Sequence, residues 1–202
     1  MWINEELLDR KEREKMRAEF VRNRPFPHLL VENFLEEGKA KELAVALKKE
    51  AFEEKDSDLF QFRQTGDLEH SKQKAIKVFY DMMSSGEFGK IIKDVTGIQV
   101  SGRIDMAGSL YISTDYLLCH DDELEDRKIA YVYYLCDDFG EEDGGALALL
   151  ADNKGKPGEV EKKYYPKWNS LILFEVSARS WHEVEEVIKD GKERYAIGGW
   201  LH

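Results

Sequence analysis

The chain is poor in cysteine and has no C-x-x-C pair. It contains two cysteines among 202 residues, Cys119 and Cys136. Both lie in apolar runs, which favours buried thiols over a disulfide or a metal-binding pair. Scarce, unpaired cysteine is typical of reducing compartments. We therefore expect a cytoplasmic protein, or a nuclear one if the source is eukaryotic.

Long apolar segments and an excess of basic residues are also missing. No apolar run approaches the roughly 18 residues of a transmembrane helix, and the first residues lack the basic-then-apolar order of a signal peptide, so we expect no membrane contact. The 30 Lys and Arg are outnumbered by 41 Asp and Glu, which gives a net charge of −11. A nucleic-acid-binding surface would be basic, so direct nucleic-acid binding is not expected. An acidic surface is compatible with a basic protein partner or simply with solubility.

The first half of the chain has helical patterning. With 42% hydrophobic and 11% aromatic residues, the chain is expected to fold around a core. Residues 4–20 are predicted to form a solvent-exposed helix with Asn4 as its N-cap, because apolar positions are sparse there. Apolar residues recur at helical spacing over 36–52 and over 71–95. The second stretch is interrupted at Ser84-Ser85-Gly86 and is therefore compatible with two helices.

The second half has the pattern of short strands. Segment 58–65 alternates like a strand or an ordered loop, and after Gly97 β-branched and aromatic runs are separated by polar turns. The predicted strands are 28–31, 98–100, 108–112, 116–120, 128–136, 146–150, 171–176, 182–188 and 195–201. This order predicts an α+β fold, a double-stranded β-helix (jelly roll) with N-terminal packing helices.

A histidine and an acid two residues apart mark a candidate metal site. In a β-strand, His120 and Asp122 would point to the same face and could bind one ion. The third ligand would come from a neighbouring strand, and His182 begins a later strand-like run. Two imidazoles and one carboxylate suit Fe(II) enzymes that bind a co-substrate and O₂ at the metal. Arg194, twelve residues after His182, could bind a carboxylate of that co-substrate with two hydrogen bonds.

A second interpretation of these residues stays open on spacing alone. His120 and Asp122 could be a solvated surface pair, and His182 could be a core histidine. The histidines outside this set have no acidic residue two positions later. His120 ends one predicted strand, while His182 and Arg194 begin others, so in a jelly roll they can converge on one mouth of the barrel. This placement favours the metal site.

The residues around His120 extend well beyond a generic His-x-Asp motif. Residues 116–130 are YLLCHDDELEDRKIA, and this segment closely resembles the metal-binding segment of the ribosomal prolyl hydroxylases, a branch of the 2-oxoglutarate- and iron-dependent oxygenases. The similarity extends over most of the chain from Arg24 onward, including the segments 25–28, 58–62, 144–149, 166–177 and 182–184, then Arg194 and the segment 199–202. It is to the catalytic domain only, because characterised eukaryotic members of the family have a second, non-catalytic β-helix domain.

The resemblance implies an enzyme and its cofactors. His120, Asp122 and His182 would be both the metal ligands and the catalytic centre, binding Fe(II), and 2-oxoglutarate would chelate the metal. Arg194 would bind the distal carboxylate of 2-oxoglutarate, and O₂ would take the remaining position, with ascorbate as an optional accessory. The reaction would couple decarboxylation of 2-oxoglutarate to hydroxylation of a prolyl ring carbon.

Two tyrosines and a domain division follow from the same resemblance. Tyr111 and Tyr134 match positions that contact the co-substrate in the family, although both could instead be aromatics that fill the barrel. Residues 1–23 would form a helical extension. Residues 24–202 would form the Fe(II)/2-oxoglutarate dioxygenase catalytic domain.

The resemblance also implies a substrate. In this family it is a proline of the decoding-centre protein of the small ribosomal subunit, hydroxylated at carbon 3, so the expected partner is a basic ribosomal protein. One alternative is a 2-oxoglutarate oxygenase that acts on another protein's proline or on a small molecule. Another is a catalytically silent β-helix that serves as a binding module, against which the intact ligand set argues. The oligomeric state is not implied.

Overall fold

The strands form one curled antiparallel sheet, and the helices pack against it. The computed structural model describes residues 2–124 and 126–202, so Glu125 of the segment 116–130 lies outside the described residues. The helices are α1 (Arg10–Arg22), α2 (Glu37–Leu47), α3 (Lys74–Met83) and α4 (Gly86–Thr96), with 3-10 turns at Glu5–Leu8, Leu68–His70 and Glu141–Asp143. The strands are β1 (His28–Val31), β2 (Glu53–Ser57), β3 (Phe60–Asp67), β4 (Ile104–Tyr111), β5 (Tyr116–His120), β6 (Ile129–Tyr134), β7 (Leu147–Asp152), β8 (Pro157–Tyr164), β9 (Ser170–Glu175), β10 (His182–Val184) and β11 (Arg194–Leu201).

Two groups of strands face each other across a barrel interior. The strand order is β1-β9-β6-β11-β4-β3-β5-β10-β7-β8, and β2 pairs with β3. The first group, called here the first sheet, consists of β1, β9, β6, β11 and β4. The second group, called the second sheet, consists of β5, β10, β7 and β8, and β3 connects the two. The inner faces enclose an apolar cluster that includes Tyr134 and Phe174 from the first sheet and Leu149 and Val184 from the second. The predicted jelly roll is thereby confirmed.

Alternation along the central strands produces two separate cores. In β9, Leu171 and Leu173 belong to the core shared with the helices, whereas Ile172 and Phe174 face the barrel interior. Successive side chains of a strand point to opposite faces, so a strand buried on both faces needs an unbroken apolar run. Segment 129–135 meets this requirement, because all its residues are apolar or aromatic.

The helical layer follows the predicted pattern with one division. The segment predicted as one or two helices over 71–95 is two helices, because Ser85 caps α4 by accepting a hydrogen bond from the Phe88 amide at 3.1 Å. Gly97, with φ of 81°, ends α4 in the left-handed conformation. Within residues 2–124 and 126–202, no helix is both long and apolar enough to cross a membrane.

The N-terminal segment differs from the predicted single helix. A 3-10 turn at Glu5–Leu8 precedes α1, whose N-cap is Asp9, and the Asp9 carboxylate accepts two main-chain hydrogen bonds at 2.8 and 3.1 Å. Leu7 and Phe20 are buried in the core that the helices share with the first sheet. The division of the chain at residue 23 stays a prediction.

Several strand predictions need correction. Residues 98–100 do not form a strand, and the strand predicted over 182–188 ends at Val184. The sequence pattern does not predict β2 and β8, because both lie at sheet edges and consist mostly of exposed polar residues. The helix predicted over 36–52 ends at Leu47, and the following residues lead into β2.

Candidate active site

The two candidate histidine ligands lie opposite each other on neighbouring strands. His120 ends β5, His182 begins β10, and the antiparallel register pairs them directly. Their ring centroids are 4.2 Å apart. In each ring Nδ1 bonds a carbonyl oxygen two residues earlier, Leu118 at 2.8 Å and Ser180 at 2.7 Å. With the proton on Nδ1, each Nε2 has a free lone pair to offer a metal ion.

Asp122 completes the set, but it does so by a different geometry from the predicted one. The strand ends at His120, and Asp122 has a φ of 62°, in the left-handed region. Its carboxylate therefore does not reach the imidazoles by strand alternation, and that part of the prediction is wrong. The turn still places Oδ1 3.5 Å from His120 Nε2 and Oδ2 3.3 Å from His182 Nε2. The three ligand atoms all lie within 4.8 Å of one another.

The protonation of this set suits a divalent cation. Burial raises the pKa of the Asp122 carboxyl, but the hydrogen bond and charge of His182 outweigh it, and that pKa falls to about 2. Burial and then the neighbouring His182 lower the pKa of His120. At neutral pH the site thus offers a carboxylate and a neutral imidazole, which are the forms that bind metals. Two imidazoles and one carboxylate are ligand types that bind Fe(II), so these residues fit the predicted metal.

Arg194 lies in the barrel interior as a buried cation. It begins β11 and is 1% exposed. Its Nε donates to the Gly145 carbonyl at 2.8 Å, and one terminal nitrogen donates to the Tyr134 hydroxyl at 3.1 Å. No carboxylate among the described residues lies within ion-pairing distance of it. A buried guanidinium without a carboxylate partner is costly, so the residue fits an anionic ligand.

The two predicted tyrosines flank this arginine. The guanidinium lies 4.9 Å from the ring centroid of Tyr111 and 5.0 Å from that of Tyr134. Tyr111 is the direct partner of Arg194 across the β4–β11 ladder. Burial raises the pKa of both phenols, although the charge of Arg194 opposes it, so both stay neutral donors. The structure thus brings all six predicted residues to one barrel, in two groups.

Several contributors to the site have only weak sequence signals. Gly145 has a φ of 67°, and a Cβ there would lie 2.9 Å from a Val187 methyl, so the acceptor of the Arg194 hydrogen bond needs glycine. The Gly144-Gly145 pair is a turn signal, but nothing in it indicates a contact with Arg194. Arg127 lies 3.3 Å from the Trp200 ring centroid and places a nitrogen 3.9 Å from Asp122 Oδ1. The short spacing of Arg127 from the motif is the only hint of this contact.

Comparisons with known proteins agree with this arrangement. The family model of the 2OG-Fe(II) oxygenase superfamily matches residues 106–202. Prolyl 3-hydroxylase OGFOD1 of Xenopus laevis is 39% identical over 180 residues, which cover 88% of this chain and 35% of the relative. Prolyl 3,4-dihydroxylase OGFOD1 of Ostreococcus tauri is 33% identical over 210 residues, which cover 92% of this chain and 41% of the relative. The chain thus spans well under half the length of these relatives.

A solved structure supports the fold. A prolyl hydroxylase from Trichoplax adhaerens, in complex with a peptide fragment of the hypoxia inducible factor oxygen degradation domain, matches with a TM-score of 0.73. The match covers 95% of this chain and 90% of that chain at 18% identity, so it shows the fold alone. The relatives cover 88% and 92% of the chain, and the family model covers His120, Asp122, His182 and Arg194. They confirm the resemblance found in the sequence: the chain belongs to the 2-oxoglutarate- and Fe(II)-dependent oxygenases.

Proposed function

We propose that this chain is a prolyl 3-hydroxylase catalytic domain that acts on a proline of the decoding-centre protein of the small ribosomal subunit. In this proposal His120, Asp122 and His182 bind Fe(II), and Arg194 with Tyr111 and Tyr134 binds 2-oxoglutarate. The observation that supports the chemistry is the pairing of a three-residue metal site with a buried, unneutralised arginine. The relatives named as prolyl 3-hydroxylases support the choice of reaction.

Each group of residues has a separate task. When bound, Fe(II) and 2-oxoglutarate supply the oxidising chemistry with O₂. His120, Asp122 and His182 would hold the metal with three protein ligands, a set that suits Fe(II) enzymes that also bind a co-substrate and O₂. Arg194 can donate two hydrogen bonds to a carboxylate, because among residues 2–124 and 126–202 only Nε and one terminal nitrogen of its guanidinium have hydrogen-bond acceptors.

The barrel side of this site is apolar. The Phe174 ring lies 4.6 Å from the His182 ring, and Leu147, Leu149 and Val187 belong to the same buried cluster. An apolar lining strengthens the electrostatic contacts inside and limits side reactions of a reactive metal. A substrate would present its reacting group on the open side of the site, where the His120 side chain is 31% exposed.

The mouth has features suited to a peptide. Leu118, two residues before His120, is 46% exposed, and its amide donates to the carbonyl of Leu59, which is 62% exposed. Exposed leucines beside a metal site provide an apolar contact for a prolyl segment. The net charge of −11 is complementary to a basic ribosomal protein and would accelerate their encounter.

Mass spectrometry of a decoding-centre peptide after incubation with Fe(II), 2-oxoglutarate and O₂ tests this proposal. The expected result is the gain of one oxygen on a single proline, at carbon 3 by fragmentation or NMR. Asp122→Ala should abolish the gain. Asp121→Ala is the matched control, because among the described residues the neighbouring Asp121 carboxylate accepts one hydrogen bond, from the exposed Glu123 amide at 3.1 Å.

The outcomes separate the alternatives. Turnover of 2-oxoglutarate without any oxygen gained by the peptide would leave an oxygenase with another protein or a small molecule as its substrate. Absence of the visible charge-transfer band in an anaerobic titration with Fe(II) and 2-oxoglutarate would instead identify a binding module. Equal loss of activity in Asp121→Ala and Asp122→Ala would contradict the ligand assignment.

A further inference from the structure

Strand β3 connects the two sheets of the jelly roll at one branch point. Its residues Phe60 and Gln61 pair with β5, the strand that ends at His120. Its residues Arg63 and Gln64 pair with β4, the strand that ends at Tyr111. The partner of β3 therefore changes within three residues, at the turn that joins β4 to β5.

A buried carboxylate occupies this branch point. Asp115 is 1% exposed, and its Oδ2 accepts hydrogen bonds from the Ile112 amide at 2.9 Å and from Arg63 Nη1 at 3.4 Å. Its Oδ1 accepts one from Gln61 Nε2 at 3.2 Å. The Asp115 carbonyl also accepts from the Val187 amide at 3.0 Å. One residue thus joins the turn, the β2–β3 hairpin and the segment after β10.

The opposite face of β3 contacts the candidate co-substrate site. Side chains alternate along a strand, so Gln61 and Arg63 point to one face and Phe62 to the other. The Phe62 ring stacks on Tyr111 with centroids 4.9 Å apart and an interplanar angle of 9°. The Arg194 guanidinium also lies beside the Tyr111 ring, 4.9 Å from its centroid. The position of β3 therefore determines how tightly Tyr111 is confined beside Arg194.

We propose that Asp115 is a positioning residue that fixes the β2–β3 hairpin at this branch point and, through Phe62, fixes Tyr111 beside Arg194. The inference rests on the proposed co-substrate role of Tyr111 and Arg194. A residue that only capped the turn would need a bond to the Ile112 amide and no more. Asp115 also pairs with two side chains of a separate strand, and a carboxylate this buried is unfavourable unless such partners compensate its charge.

The test compares three variants with a matched control. Asp115→Asn keeps the shape of the side chain but removes its charge and one acceptor, Arg63→Met removes its cationic partner, and Phe62→Leu removes the stacking ring. The control is Asp94→Asn, which breaks an ion pair with Arg13 in the helical layer, at 3.2 Å. Hydrogen exchange of amides 53–64 is measured without ligands. Binding of 2-oxoglutarate is measured by anaerobic titration of the Fe(II) protein, from its charge-transfer absorbance.

Each variant has its own expected signature. Asp115→Asn and Arg63→Met should increase exchange across amides 53–64 and raise the Kd for 2-oxoglutarate about three- to tenfold. Phe62→Leu should raise that Kd similarly while leaving hairpin exchange near the wild-type rate. Asp94→Asn should change neither quantity. In the double variant Asp115→Asn/Arg63→Met, the factor by which the Kd rises should be smaller than the product of the two single factors, because both residues act through one contact.

The refuting result is a variant that only loses stability. If Asp115→Asn lowers the Tm yet keeps wild-type hairpin exchange and Kd, Asp115 is a turn residue and the proposal is wrong. Should Asp115→Asn fail to fold, wild-type exchange and Kd in Arg63→Met would refute it equally. A wild-type protein that gives no charge-transfer band would refute the proposed function instead. In that case unchanged hairpin exchange in the variants would separately refute the positioning role of Asp115.

Discussion

Replacing Arg194 with methionine tests whether a ligand carboxylate compensates the buried guanidinium. Methionine has a similar length and retains contact with the rings of Tyr111 and Tyr134, but it has no charge and no donor. In the wild-type protein the cation is 1% exposed, and its hydrogen-bond acceptors in the described part of the chain are two neutral oxygens, those of Gly145 and Tyr134. A dicarboxylate that supplied the missing negative charge would stabilise the folded state, and the variant would lose that stabilisation.

The size of the effect follows from two opposing changes. Without co-substrate, methionine relieves a desolvated charge worth several kcal/mol but leaves two acceptors unpaired at about 1–3 kcal/mol each. These nearly cancel, so we expect the ligand-free Tm to change little. Saturating 2-oxoglutarate at about 100 times its Kd stabilises the wild type by about 2.7 kcal/mol. At about 2–4 °C per kcal/mol for a chain of this size, the Tm should rise by roughly 5–10 °C.

Anaerobic thermal unfolding with Fe(II), with and without 2-oxoglutarate, measures the difference. Arg194→Met should lose most of the ligand-induced rise. Arg13→Met is the matched control, because Arg13 is a cation of the helical layer that pairs with Asp94 at 3.2 Å, and this variant should keep most of the ligand-induced rise. If Arg194→Met showed the same ligand-induced rise as the wild type, the carboxylate would not be bound by Arg194 and the reasoning from its missing partner would fail.

Three further predictions concern separate parts of the molecule. Burial lowers the pKa of His28 below 6.5, so the unfolded chain binds a proton more readily than the folded one, and the free energy of unfolding falls as the pH drops below about 6.5. In urea unfolding of the metal-free protein, His28→Gln should make this fall less steep. Gly145→Ala should lower stability by more than about 1 kcal/mol in urea unfolding and raise the Kd for 2-oxoglutarate, because the new Cβ would lie 2.9 Å from a Val187 methyl at a left-handed φ. Burial raises the pKa of Cys119 to about 11 and that of Cys136 to about 12, so neither should react quickly with iodoacetamide at neutral pH by mass spectrometry until the protein is unfolded.

Predictions from the sequence were most accurate where one buried face dominated the pattern. Strand β5 was predicted with its observed bounds, and the interruption at Ser84-Ser85-Gly86 left open the two helices that α3 and α4 form. Strands β2 and β8 could not be predicted, because their edge positions expose most of their side chains and remove the apolar alternation. The register that places His182 opposite His120 depends on contacts between distant segments, which no local pattern contains.

For the site, the sequence predicted the residue types better than their geometry. The residue types and their spacing indicated the metal set and the arginine, yet the strand argument for Asp122 was wrong, because its backbone turns at φ of 62° directly after β5. The Asp115 contacts were also beyond prediction. They join residues more than fifty positions apart in sequence, and a single aspartate before a strand has many ordinary uses.

The charges of the site relate the two halves of the proposed function to each other. At the metal end, Asp122 adds one negative charge beside a neutral His120. At the other end, Arg194 adds one positive charge that no described carboxylate neutralises. A divalent cation and a dianion added together leave this total unchanged, whereas either one alone leaves an excess in a low-dielectric barrel. Each ligand therefore lowers the cost of binding the other, so 2-oxoglutarate should bind much more weakly without the metal. A carboxylate of the protein beside Arg194 would have occupied the guanidinium, and the distal carboxylate of the co-substrate would then have lost its ion-pair partner.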